Sequence, residues 1–60
     1  MRITEDAVIK AAVQWAERRG TNATKASADA LQQIGVLRTS FTGEQYMDQL
    51  EQLYRQYTAS

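Results

Sequence analysis

Neither a cysteine nor a histidine occurs among the 60 residues of this chain, and that double absence narrows how it can hold together. Chains of this size bury only about 60% of the surface they expose when unfolded. Below roughly 70–80 residues, core burial and the entropy of ordering nearly cancel, so small proteins commonly add disulfides, a metal or a partner chain. Disulfides need Cys, and the commonest zinc ligands are Cys and His. Close helix packing or self-association is what remains. The length allows one domain, residues 1–60.

Proline is also absent, and glycines at 20, 35 and 43 divide the chain into three stretches of helical character. The first has a complete set of local signals. Thr4 stands as N-cap, Glu5 and Asp6 place negative charge in the first turn, and Ile3 and Val8 hold the positions of a hydrophobic staple. Val8, Ile9, Ala12, Val13, Trp15 and Ala16 recur at helical spacing, and Arg18-Arg19-Gly20 closes the helix. The second stretch, about 24–34, is short and rich in alanine, with Ala23, Ala26, Ala30, Leu31 and Ile34 on one face. Gly35 is expected to stop it, and Val36 and Leu37 to tuck under the helices from a connector.

The third helix, about 43–57, opens on a capping box of Thr42 and Gln45, with Phe41 and Tyr46 placed as a staple. Met47, Leu50, Tyr54 and Tyr57 follow 3-4-3 spacing, and Tyr46 and Leu53 widen that seam. Thr58-Ala59-Ser60 is expected to fray. The fold expected is all-α: a helical hairpin of two main amphipathic helices, 5–19 and 43–57, packed antiparallel, with the alanine-rich helix between them. Two or three helices of this size leave apolar surface over, and a two-fold homodimer is the commonest way to cover it. Three tyrosines on one helix is a heavy load for so small a core, and Tyr and Trp favour interfaces. Aromatics at helical spacing also suit a core, so the residues Trp15, Tyr46, Met47, Leu50, Leu53, Tyr54 and Tyr57 are either core or a candidate interface shared with it.

Charge and chemical inventory exclude several classes. Seven basic and seven acidic residues cancel, whereas proteins that neutralise phosphates carry a basic surplus on one face. A helix-turn-helix reading of residues 28–57 remains as the alternative. It requires a turn of 3–4 residues, whereas about seven separate Gly35 from Gly43, and its recognition helix would open on Glu44, Gln45 and Asp48, whose two carboxylates would repel backbone phosphates. Without His or Cys there is no imidazole base and no thiol nucleophile. Glu44, Asp48 and Glu51 share a helix face, but a carboxylate site needs a desolvated cleft, and a solvated face is expected here. No enzyme activity, cofactor or metal is expected. No apolar run approaches the roughly 18 residues of a membrane span, and the start, Met1-Arg2-Ile3-Thr4-Glu5-Asp6, lacks the apolar region of a signal peptide. The sequon Asn22-Ala23-Thr24 therefore carries no weight, and a cytoplasmic protein is expected.

Ala12-Val13-Gln14-Trp15-Ala16-Glu17-Arg18-Arg19-Gly20, followed by a second helical half, resembles the short helical proteins of the exo–xis early region of lambdoid bacteriophages. The resemblance spans most of the chain, and its motif is a tryptophan helix closed by Arg-Gly. It implies a small early phage protein that influences development through contacts with host or phage proteins, in the bacterial cytoplasm. It transfers no catalytic or ligand residue.

Overall fold

Local signals at Thr4 and Gly20 start and stop the first helix where the sequence places them. In the computed structural model, which describes residues 3–59, helix α1 runs Glu5–Arg19. The Thr4 hydroxyl oxygen accepts the Ala7 N–H at 3.1 Å. Gly20 takes the left-handed conformation (φ 69°), while the Gly20 and Thr21 N–H groups donate to Glu17 and Ala16 carbonyls, a Schellman closure. The start of the chain at Met1 and Arg2, and the fraying expected of Ser60, lie outside the described residues.

The second helix differs most from expectation. Helix α2 runs Ala23–Ser40, twelve residues of it N-terminal to Gly35 and five beyond it. Asn22, noticed in the sequence only as a sequon, is its N-cap, accepting the Lys25 N–H at 3.1 Å. Gly35 does not stop it, because the buried positions Ala26, Ala30 and Ile34 continue to half-buried Leu37 at 4-4-3 spacing. An interior glycine costs about 1 kcal/mol, less than packing a further turn against the core recovers. The same rotation turns Leu31 and Val36 outward, 54% and 58% exposed, against the expectation that both would be covered. Nothing lies within 4 Å of a Cβ built on Gly35. Gly35→Ala is therefore expected to stabilise the fold by about 0.5–1 kcal/mol, raising Tm by about 4 °C. Gly20→Ala, forced into positive φ, is expected to lower it by a similar amount. Thermal melts followed by circular dichroism check both signs.

Helix α3 runs Gly43–Thr58 after a two-residue connection, Phe41–Thr42. The expected capping box is not formed: Thr42 makes no side-chain cap, and the chain enters the helix through Gly43 at φ 57°. Thr58 is helical, not frayed, its hydroxyl donating to the Tyr54 carbonyl at 3.0 Å.

Helix direction corrects the expected hairpin. Glu5, at the start of α1, bonds Tyr46 near the start of α3, while Arg18, near the end of α1, donates to the Tyr57 carbonyl near the end of α3. The two main helices therefore run parallel. Because α2 extends over 18 residues, about 27 Å, it carries the chain back along the full length of α1, and α3 repeats the direction of α1. The result is an up-down-up bundle of three helices, with no strand among the described residues. Its core joins Ile3, Val8, Ala11 and Ala12 to Ala30, Ile34, Leu50, Leu53 and Tyr57. Among the described residues, five of the eleven buried apolar side chains are alanines, all on α1 and α2. Small residues let those two helices approach closely but bury little area each.

Candidate functional site

Two ends and one flank of the bundle carry its polar chemistry. At the end where α1 and α3 begin, Glu5 accepts hydrogen bonds from Arg38 of α2, one at 2.8 Å, and from the Tyr46 hydroxyl of α3. One carboxylate thus ties all three helices. The Arg38 and Tyr46 hydrogen bonds hold the Glu5 carboxyl below its ordinary pKa. Burial, then donation to Glu5, pushes the Tyr46 phenol up. A lowered folded pKa means that the contribution of Glu5 is present above the ordinary carboxylate range and disappears as pH falls through it. Stability is therefore expected to drop below about pH 4, with Glu5→Gln flattening that part of a Tm–pH profile. The effect is modest, because both partners are partly exposed and salt screens them.

At the opposite end Tyr57 is the hub. Its ring meets Trp15 edge-on at 5.6 Å, its carbonyl accepts from Arg18 at 3.2 Å, and its hydroxyl accepts from the Gln33 amide at 3.3 Å. Burial raises the Tyr57 pKa, partly opposed by the Gln33 hydrogen bond. Arg19 lies over the Trp15 ring, 4.6 Å from its centroid.

These contacts place the seven candidate interface residues. Leu50, Leu53 and Tyr57 are buried in the chain's own core, with Trp15, Tyr46 and Tyr54 packed against it and half-buried. Met47, expected within the seam, stands off it at 36% exposed. The seam of α3 is thus Tyr46, Leu50, Leu53 and Tyr57, in 4-3-4 spacing, turned one step from the 3-4-3 reading. Of the carboxylates that share a face, Glu44 and Asp48 are exposed and Glu51 pairs with Arg55 at 3.0 Å. Among the described residues no three acidic side chains gather as a metal site, and no helix is long and apolar enough to cross a membrane.

The feature that sequence reading missed lies between α2 and α3. Both helices pack on α1 but meet each other less, and a cleft of about 360 Å³ opens along their outer flank. Val36, Leu37 and Leu53 line it together with Gln32, Gln33, Gln49, Gln52 and Gln56. No lining residue carries a charge, although 14 of the 60 residues are ionic. The signal was present in the sequence as a neutral stripe, Gln49, Gln52 and Gln56 at helical spacing. Hydrophobic periodicity does not detect such a stripe. Comparison with family models, curated proteins and solved structures finds no significant match to this chain.

Proposed function

We propose that this chain is a small non-enzymatic protein-interaction module whose contact face is the α2–α3 cleft. The observation that carries the reading is the lining itself: three apolar side chains and five neutral amides, with no charged group. Such a surface suits a polypeptide, because each amide offers a donor and an acceptor that match main-chain groups. It is unsuited to a charged metabolite, which would enter without a counter-charge. The absence of His and Cys agrees with binding rather than catalysis. If the phage resemblance of residues 12–20 holds, the bound protein belongs to the host or the phage, and the outcome is regulatory.

The DNA-binding alternative gains on one point and loses on others. The two-residue connection between α2 and α3 is far shorter than the seven residues between Gly35 and Gly43, so turn length no longer counts strongly against it. However, every described arginine is engaged within the chain: Arg18 with the Tyr57 carbonyl, Arg19 with Trp15, Arg38 with Glu5 and Arg55 with Glu51. Glu44 and Asp48 stay exposed at the start of α3, where phosphates would approach.

The test compares immobilised wild-type chain with Val36→Asp in a bacterial lysate. Val36 is largely exposed, so the variant keeps its helical circular dichroism. Proteins held by wild type and released by the variant support the cleft. Identical capture by both overturns it.

A further inference from the structure

We infer that the cavity at the end of the bundle where α1 and α3 finish binds a small organic anion, a carboxylate or phosphate carried on an apolar body, between the guanidinium groups of Arg18 and Arg19. The site is separate from the α2–α3 cleft and does not depend on that cleft being a contact face. Trp15, Arg18, Arg19, Thr58 and Ala59 line a space of about 390 Å³. Both arginines are exposed, and both are held by neutral groups: Arg18 donates to the Tyr57 carbonyl at 3.2 Å, and Arg19 lies 4.6 Å from the centroid of the Trp15 ring. Arg38 and Arg55 differ, since each has a carboxylate partner, in Glu5 and Glu51. Among the described residues no salt bridge engages Arg18 or Arg19, and no acidic side chain lines the cavity. A carbonyl or a ring fixes a guanidinium in place without cancelling its charge.

The local charge balance favours an anion. Helices α1 and α3 both end here, and each helix C-terminus carries about half a negative charge. Two guanidinium groups outweigh that pair of poles by about one positive charge. The exposed acids Glu44 and Asp48, which disfavour DNA, stand near the start of α3, at the other end of the bundle. Arg18 gives one hydrogen bond to Tyr57 and keeps further donors on the same fork, while contact with a ring face uses charge attraction rather than a hydrogen bond. Such a planar fork matches the paired oxygens of a carboxylate or phosphate. The Thr58 hydroxyl cannot replace it, because its proton goes to the Tyr54 carbonyl. Size then decides against a bare inorganic ion. Small-molecule sites run from roughly 300 to 1,000 Å³, and the Trp15 ring and Ala59 methyl offer apolar wall that an ion alone would leave uncovered. Side chains already tied to Tyr57 and Trp15 also lose little freedom when the ligand arrives.

The experiment is a titration of the isotope-labelled chain, followed by nuclear magnetic resonance at the Arg18 and Arg19 side-chain N–H groups and the Trp15 indole. The probes are phenyl phosphate, benzoate, inorganic phosphate and the neutral control phenol, each to about 20 mM at fixed ionic strength, because salt screens such contacts. Saturating shifts are expected with phenyl phosphate or benzoate at a dissociation constant of about 1 mM, and the tighter of the two identifies the oxyanion. Arg19→Gln, which removes a charge, and Arg18→Lys, which keeps the charge but removes the fork, are each expected to weaken binding about tenfold with unchanged helical circular dichroism. Val36→Asp is expected to bind as wild type does, since Val36 lines the other cleft. Shifts that grow without saturating for both organic anions overturn the inference. So does saturation that neither arginine variant disturbs, because the ligand then sits elsewhere. Phenol binding as tightly as the anions would remove the role of charge, and inorganic phosphate binding as tightly as phenyl phosphate would remove the apolar body; either result also overturns it.

Discussion

Leu50→Ala is expected to cost about 3 kcal/mol and to lower Tm by more than 12 °C, the largest effect of any truncation on α3 that leaves the aromatic end untouched. Leu50 is 1% exposed, one of the three largest fully buried side chains, with Val8 and Ile34. Truncating a buried leucine removes its transfer free energy and leaves a cavity that its neighbours only partly refill, together about 2–5 kcal/mol. Total stability for 60 residues is about 3–9 kcal/mol. The alanine-rich contact between α1 and α2 buries little area per residue, which places this bundle toward the low end. A loss of 3 kcal/mol is therefore a third of its stability or more. Urea melts followed at 222 nm check the size, with Leu31→Ala as the control, since an exposed leucine at a helix surface should change stability by less than about 0.5 kcal/mol. Equal costs at the two positions would contradict the assigned faces of α2 and α3.

How the faces were legible differs from helix to helix. α1 could be read whole, since Thr4, the Val8–Ala12–Ala16 stripe and Arg19-Gly20 act within a turn or two of where they stand. In α2 the local rule and the pattern disagreed. Gly35 read as a stop, yet Ile34 and Leu37 kept the period of Ala26 and Ala30, and burial prevailed over propensity. Direction followed from that one extension: with α2 ending at Gly35, a hairpin of α1 and α3 is the natural reading, whereas with α2 reaching Ser40 the chain completes a second full pass.

α3 shows a different limit. Tyr46 and Met47, and again Leu53 and Tyr54, are adjacent apolar pairs, so two seams fit its sequence equally well. The choice between them is tertiary. Glu5 holds the Tyr46 side chain at one end, and Trp15 with Gln33 holds Tyr57 at the other, which turns Met47 outward. No window within α3 contains that information. The cleft was hidden for a related reason: its lining comes from two helices whose relative placement depends on α1, and neutral amides carry no signature in charge or hydropathy.

Tyr57→Ala is expected to be the most damaging single change at the far end of the bundle, costing about 3–5 kcal/mol, as truncation of a buried aromatic does. One side chain here meets the Trp15 ring and the Gln33 amide while its own carbonyl receives Arg18. The edge-on ring pair alone is worth about 0.5–1.5 kcal/mol beyond the area it buries. Trp15 provides the reporter: its fluorescence should shift to the red and near-ultraviolet circular dichroism should fade as the indole loses its neighbour. Tyr57→Phe separates the ring from the hydroxyl. It keeps the contact with Trp15 and removes only the bond from Gln33, so about 1 kcal/mol is expected, with the fluorescence unchanged. Gln33 also lines the cleft, and this makes the pair informative about function as well as stability. In Tyr57→Phe the Gln33 amide loses its anchor to the core, and the rim of the cleft loses a fixed donor. A double-mutant cycle with Gln33→Ala should show coupling in both stability and association. Coupling in stability alone would mean that Gln33 serves the core, and that the remaining four glutamines carry the contact without it.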